Sequence, residues 1–236
     1  MKIPLVLLCG GLATRLGDCA RTVPKSLIEV AGEPFIFHQL RLLKREKIGR
    51  VVICAGHLGD QIQKEIQNGS QFGLDIGYSF DGEKLLGTGG AIKQALPLLS
   101  DVFWVMYGDS YLDTTFSPIL NFFFAHQKKS LITIFKNENK WERSNIDWNG
   151  KEILKYNKKH PDPSMKYVDC GLGIMRKSAF SPWLDRMTFD LSDLQEDLVQ
   201  EHEMLGHEVH QRFFEVGSIK GLEETRQYIE KNRILR

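Results

Sequence analysis

Ile3-Pro4-Leu5-Val6-Leu7-Leu8-Cys9 runs directly into Gly10-Gly11-Leu12-Ala13-Thr14-Arg15-Leu16, and Val23-Pro24-Lys25 follows, its lysine ten residues after Arg15. The apolar run predicts a buried strand. The glycines at its C-terminal end predict a turn whose backbone N–H groups can approach phosphate oxygens with no Cβ in the way. A Gly-Gly pair alone marks only a tight turn. Arg15 adds a planar fork for two phosphate oxygens and Lys25 a mobile point charge, at the edge where open α/β sheets hold their ligands.

Outward from this stretch, strand and helix patterns alternate. Glu33-Pro34 opens a helix with apolar Phe35, Ile36, Leu40, Leu43 and Ile48 at helical spacing. Arg50–Ala55 reads as a second buried strand, followed by a helix around Asp60–Gln67 and a short strand near Leu74–Tyr78. Gly87–Gly90 precedes a helix through Leu99, and Val102–Tyr107 is a central strand ending at Gly108-Asp109. Such alternation predicts an α/β fold with a mainly parallel central sheet and helices on both faces.

The second half reads differently. Leu131–Phe135 is a strand, and Asn149-Gly150 between Ile146–Trp148 and Ile153-Leu154 signals a hairpin. Lys158–Met165 is a loop and Tyr167–Met175 a strand. Helices at Leu191–His202 and Lys220–Lys231 flank a strand segment at Glu208–Val216. No linker or repeat divides the chain. One domain over 1–236 is expected, with a first half to about 130 and a smaller lobe from about 131.

Thirty-one basic against thirty acidic residues give a formal net charge of +1. That balance excludes a broad nucleic-acid footprint, so any phosphate binding is local. Cys9, Cys19, Cys54 and Cys170 lack metal spacing and read as reduced thiols of a cytoplasmic protein. Residues 3–8 are too short for a secretory segment, and no run approaches the ~20 apolar residues of a membrane span. His57, His126, His160, His202, His207 and His210 show no metal spacing either.

Three further segments carry candidate chemistry. Leu86-Gly87-Thr88-Gly89-Gly90-Ala91 is either backbone laid flat against a planar or anionic group or a flexible start to the helix that follows. Gly108-Asp109-Ser110 puts a carboxylate at a strand end, where it holds a hard cation against phosphates or caps a turn. Phe213-Phe214-Glu215-Val216-Gly217-Ser218 supplies a second strand-end acid.

Gly10-Gly11-x-x-Thr14-Arg15-Leu16 with Pro24-Lys25 resembles the signature of the sugar nucleotidyltransferases, with Ala13 where the usual pattern has glycine. The resemblance spans about residues 3–230 through five ordered motifs and implies a Rossmann-like fold of the glycosyltransferase-A type. It implies Arg15 and Lys25 as catalytic groups, with Cys9, Gly10, Gly11, Thr14, Leu86, Gly87, Thr88, Gly89 and Gly90 around the nucleotide. It implies magnesium on Asp109 and Glu215, the latter one methylene longer than the usual aspartate.

Tyr156-Asn157-Lys158 resembles the family's Glu-Lys segment on the sugar phosphate, with Lys159 competing for the register. Asp169-Cys170-Gly171 resembles an Asn-x-Gly sugar contact, so Lys158, Asp169 and Gly171 become sugar-phosphate candidates. The implied partners are an NTP and a sugar 1-phosphate, with neither nucleic acid nor membrane, and the resemblance leaves room for a homo-oligomer. The loop at Leu86–Ala91 favours GTP, and the short chain favours D-glycero-D-manno-heptose 1-phosphate. The alternatives are a uridylyltransferase on a sugar such as N-acetylmuramate 1-phosphate, or a silent nucleotide-sugar-binding regulator.

Overall fold

The structure, a computed structural model, describes residues 3–11 and 22–233. The roles expected of Thr14 and Arg15, and the thiol of Cys19, lie outside the described residues. Leu5–Leu8 forms strand β1, with every side chain buried. Leu5 and Leu7 join the core under helices α1 (Phe35–Arg45) and α2 (Gly59–Ile66). Val6 and Leu8 join the opposite core under α3 (Gly87–Ala95). A strand covered on both faces must be apolar at every position, which is why it stands out as an unbroken run. Each such side chain contributes about 1.5–3 kcal/mol on burial.

Strand β2 (Arg50–Ala55) lies parallel to β1 on one side, and β3 (Asp75–Phe80) lies parallel to β2. After α3 the chain returns and lays β4 (Val102–Tyr107) parallel to β1 on its other side. The order β3–β2–β1–β4 therefore reverses beside β1. A crevice opens there, at the strands' C-terminal ends.

The later strands are β5 (Ser130–Lys136), β6 (Ile146–Trp148), β7 (Ile153–Tyr156), β8 (Tyr167–Arg176) and β9 (Met204–Glu208). β8 runs antiparallel to β4 and β5, so one sheet continues from the nucleotide half into the sugar-side half. β6 and β7 form the expected hairpin, where Asn149 Oδ1 accepts from the Lys151 and Glu152 N–H groups and Gly150 adopts φ +94°. No helix among the described residues is long and apolar enough to cross a membrane.

Three expectations are corrected, and one element is added. Gly87–Gly90 does not precede α3 but forms its first turn. The segment 208–216 is not one strand: β9 ends at Glu208, and Phe214–Glu215 pairs separately with Ser110–Tyr111. Glu33–Pro34 forms a short ribbon with Glu29–Val30 before α1 begins at Phe35. Helix α4 (Phe116–His126) escaped the sequence reading, because Phe122-Phe123-Phe124 erases a clean helical period and Pro118 reads as a breaker. Proline is tolerated there because it lies in the first turn.

Between Asp169, opposite Ile134, and Gly173, opposite Ile132, β8 bulges. Gly171 at the bulge has φ +77°, and a Cβ there would lie 2.6 Å from Ser110 Oγ. Gly171→Ala should therefore lower stability by about 1–3 kcal/mol, read from the urea midpoint. An unchanged midpoint would show that the bulge is not under this constraint.

Candidate active site

The crevice between the ends of β1, β2 and β4 is a cleft of about 420 Å³. Cys9, Gly10 and Gly11 form its floor at the end of β1, and Cys54 joins them from β2. Gly10 and the turn after β2 approach closely: a Cβ on Gly56 would lie 3.0 Å from Gly10 O and 2.8 Å from Leu85 Cδ2. Gly11 has open space where its side chain would be. Gly56 is thus a packing requirement, Gly10 is the closer-packed of the first pair, its own Cβ meeting Gly56 N at 3.3 Å, and Gly11 leaves backbone accessible to a ligand. The floor thiols are unreactive in this state, since burial pushes Cys9 up to about 12. Cys9, Cys54 and Cys170 are free and buried.

Lys25 and Asp109 face each other across the cleft mouth. Lys25 Nζ lies 2.9 Å from Asp109 Oδ2, with both side chains partly exposed. Asp109 is held by its surroundings. The Gly108 N–H donates to Leu8 O at 2.9 Å, and the Val216 N–H donates to Asp109 O at 2.9 Å. Gln39, fully buried in α1, donates through Nε2 to Tyr107 O at 3.0 Å and to Ser110 O at 2.8 Å. These bonds bracket Asp109 on both sides, so a polar residue on the apolar face of α1 fixes the loop that carries the acid.

The glycine-rich start of α3 divides in two. Gly87, at φ +72°, and Thr88 line the cleft. Leu86, Gly89 and Gly90 do not line it. The N–H groups of Gly89 and Gly90 both donate to Phe189 O, at 3.0 and 3.2 Å, and Phe189 N–H donates to Leu86 O at 3.0 Å. A Cβ on Gly90 would lie 2.5 Å from Met187 O. These two glycines admit the segment before α5 (Leu191–Gln200), which leaves their N–H groups engaged rather than facing a base.

On the sugar side, Lys158 Nζ lies 4.3 Å from the Tyr107 ring centroid and 3.5 Å from Asp169 Oδ2. Burial opposes the charge of Lys158, yet the facing Tyr107, Tyr156 and Asp169 oxygens raise its pKa well above the ordinary lysine value. Asp169 Oδ1 accepts the Gly171 N–H at 2.8 Å. Tyr156 OH reaches Asp169 Oδ2 at 3.3 Å and Gln195 Oε1 at 2.9 Å. Lys159 is engaged by Asp193 instead. The trio Lys158, Asp169 and Gly171 is therefore assembled, with Tyr107 standing between it and the nucleotide cleft.

Glu215 is near Asp109 in backbone only. Its carboxylate accepts the Gly217 N–H and the Ser218 hydroxyl at the start of α6 (Ile219–Arg233), and it lines a separate small cavity. The structure does not bring the two carboxylates into one cation site. Of the two, Asp109 lines the cleft and Glu215 does not, and magnesium needs only one or two protein carboxylates beside phosphates and water.

Three residues at the site escaped the sequence reading. Gln39 looks like any polar residue on a helix, and Tyr107 looks like the end of an apolar run. Asp81, which follows β3 as Asp109 follows β4, carried a usable signal: an acid just past a strand's C-terminal end, in the turn Asp81-Gly82.

Residues 5–146 match the family described as Nucleotidyl transferase. The chain belongs to that family. Among curated relatives, the D-glycero-alpha-D-manno-heptose 1-phosphate guanylyltransferase of Campylobacter jejuni is 33% identical over 114 residues, 48% of this chain and 51% of that protein. The N-acetylmuramate alpha-1-phosphate uridylyltransferase of Neisseria meningitidis is 38% identical over 113 residues, 48% of this chain and 49% of that protein. The matched stretch thus spans about half the length of each of these relatives. The fold matches HddC from Yersinia pseudotuberculosis with a TM-score of 0.81 at 18% identity, over 96% of this chain and 99% of that one. HddC complexed with GMP-PN matches at 0.78. Nucleotidyl transferase membership and the shared fold agree with the α/β architecture described above.

Gln39→Met keeps the volume of the side chain but leaves two buried carbonyls unpaired. A loss of about 1–3 kcal/mol is expected in urea unfolding, with reduced turnover because the Asp109 loop loosens. Wild-type stability in this variant would refute the bracing role.

Proposed function

We propose that this chain transfers a nucleotidyl group from an NTP to a sugar 1-phosphate, releasing pyrophosphate. The observation that carries this reading is the Lys25–Asp109 pair facing the open Gly11 backbone at the sheet's switch point, in a member of the nucleotidyl transferase family. A phosphate oxygen of the sugar 1-phosphate attacks the α-phosphorus of the NTP. The new oxygen–phosphorus bond forms as the bond from the α-phosphorus to the bridging oxygen breaks, and pyrophosphate leaves. The protein supplies no covalent intermediate, so its work is positioning and charge neutralisation.

Lys25 and Arg15 bind the triphosphate and the charge that develops on it. Asp109 would hold a magnesium ion, which supplies further neutralisation of phosphate charge. Gly10, Gly11, Gly87 and Thr88 line the nucleotide. Lys158 binds the sugar phosphate, and Asp169, oriented by Gly171 N–H, accepts from sugar hydroxyls. We assign GTP and D-glycero-D-manno-heptose 1-phosphate as substrates and the cytoplasm as the place of reaction. The Campylobacter relative and the GMP-PN complex of HddC support the guanylyl part. The second reading, uridylyl transfer to N-acetylmuramate 1-phosphate, is favoured by the Neisseria relative.

Pyrophosphate release from each NTP against a panel of sugar 1-phosphates separates these readings. GTP with the heptose phosphate is expected to give the highest kcat/KM. Higher turnover with UTP would overturn the guanylyl assignment, and no turnover with any pair would leave a binding protein. Lys25→Ala should stay folded and lose roughly 100-fold in turnover; full activity would remove Lys25 from the site. Asp109→Asn should lose activity even at saturating magnesium, and wild-type rates there would remove the acid from the cation site.

A further inference from the structure

We infer that Arg212 is a positioning residue: it ties the loop that sets the sugar-side groups to the segment that braces Asp109, and so fixes the spacing of the two substrates. The inference rests on the nucleotidyltransferase reading and deepens it. The Arg212 guanidinium carbon lies 4.6 Å from the Trp141 ring centroid and 4.9 Å from that of Phe214, both inside the ~6 Å reach of a cation–π contact. Its Nη2 donates to the Glu224 carboxylate of α6. Nε is buried and finds no acceptor among the described residues. An unpaired buried donor is a cost, so the two ring faces and Glu224 hold this group rather than a full set of hydrogen bonds.

Phe214 belongs to the Asp109 side. Phe214 and Glu215 pair antiparallel with Tyr111 and Ser110, and the Val216 N–H donates to Asp109 O at 2.9 Å. The Phe214 ring stacks on Tyr228 of α6 at 4.2 Å, and the Tyr228 hydroxyl donates to Asp113 Oδ2 at 2.9 Å. Whatever holds Phe214 therefore steadies the loop that carries Asp109, as Gln39 does.

Trp141 belongs to the sugar side. The loop 137–145 is folded by its own polar side chains. Asn137, fully buried, accepts the Trp141 N–H at 3.2 Å and donates to Ser144 Oγ at 3.1 Å, while Asn139 Oδ1 accepts the Ser144 N–H at 2.8 Å. At the end of the loop, Asn145 Oδ1 accepts the Asp169 N–H at 3.1 Å and Asn145 O accepts the Asn157 N–H at 2.9 Å. Those two bonds set Asp169 and the residue before Lys158. A buried polar network bonded in this way is stiff, so Trp141 and Asn145 are tied together.

The sheet cannot do this work at the rim. β8 pairs with β4 from Leu172, opposite Met106, to Arg176, opposite Val102. Asp109, Lys158 and Asp169 all lie beyond that ladder, where Arg212 supplies a cross-link. Attack of a sugar phosphate on the α-phosphorus needs the two substrates aligned, and a misplacement of about 1 Å costs on the order of 100-fold in rate.

The test is Arg212→Lys, which keeps a charge for Glu224 but has no planar group to lay on two rings, with Arg212→Met beside it. Both should lose roughly 10- to 100-fold in kcat with the KM for the NTP unchanged. Trp141→Leu should match them, and the double variant Arg212→Met with Trp141→Leu should be no slower than either alone. In the protein without substrates, hydrogen exchange at the Val216 and Asn157 amides should speed up together in each variant. Wild-type kcat in Arg212→Lys, or losses that multiply in the double variant, overturns the role of the ring contacts. Faster exchange at Val216 with Asn157 unchanged makes Arg212 a local support and overturns the tie between the two sides. A wild type that turns over no pair of NTP and sugar 1-phosphate overturns the nucleotidyltransferase reading, and the exchange measurement still decides whether Arg212 joins the two segments.

Discussion

The pairing of β1 on both sides is the constraint from which the site follows. With β2 and β4 both parallel to it, and α1, α2 and α3 covering its two faces, β1 is buried along its length. Its chain can meet a ligand only where it leaves the sheet, at Gly10-Gly11. The strand order reverses beside it, and the cleft opens at that point. Lys25, Asp81 and Asp109 all line that cleft.

The charges on the rim are paired with each other, Lys25 and Asp109 meeting at 2.9 Å. On the proposed function, a triphosphate would compete for Lys25 and a cation for Asp109. The pair is partly exposed, and its strength in water is modest, which makes that exchange inexpensive. The sugar-side group is firmer. Lys158, Tyr156 and Asp169 bind one another behind Tyr107, and Gln195 of α5 holds Tyr156 from the far side.

Legibility from sequence followed burial. β2 and β4 match their apolar runs residue for residue, Arg50–Ala55 and Val102–Tyr107, because strands covered on both faces tolerate no interruption. The first-loop glycines and Asp109 stood out in the sequence because each sits just past such a run. What stayed hidden depended on contacts between distant segments. Gly89 and Gly90 look like a phosphate or base loop, but their glycine character answers to Met187 and Phe189, a hundred residues away. Glu215 sits in register for a metal ligand, and its carboxylate turns to the start of α6, a choice made by side-chain geometry that spacing does not encode. Gln39 acts through two carbonyls of another segment and leaves no periodic trace.

The central claim is that Gly11, Lys25 and Asp109 receive a nucleoside triphosphate with its metal. A crystal structure of the protein with magnesium and a non-hydrolysable GTP analogue tests it most directly. The account predicts phosphates against the Gly10-Gly11 backbone and Lys25, with Asp109 released from Lys25 and turned to the cation. An analogue bound elsewhere, with the Lys25–Asp109 contact still closed, would contradict it.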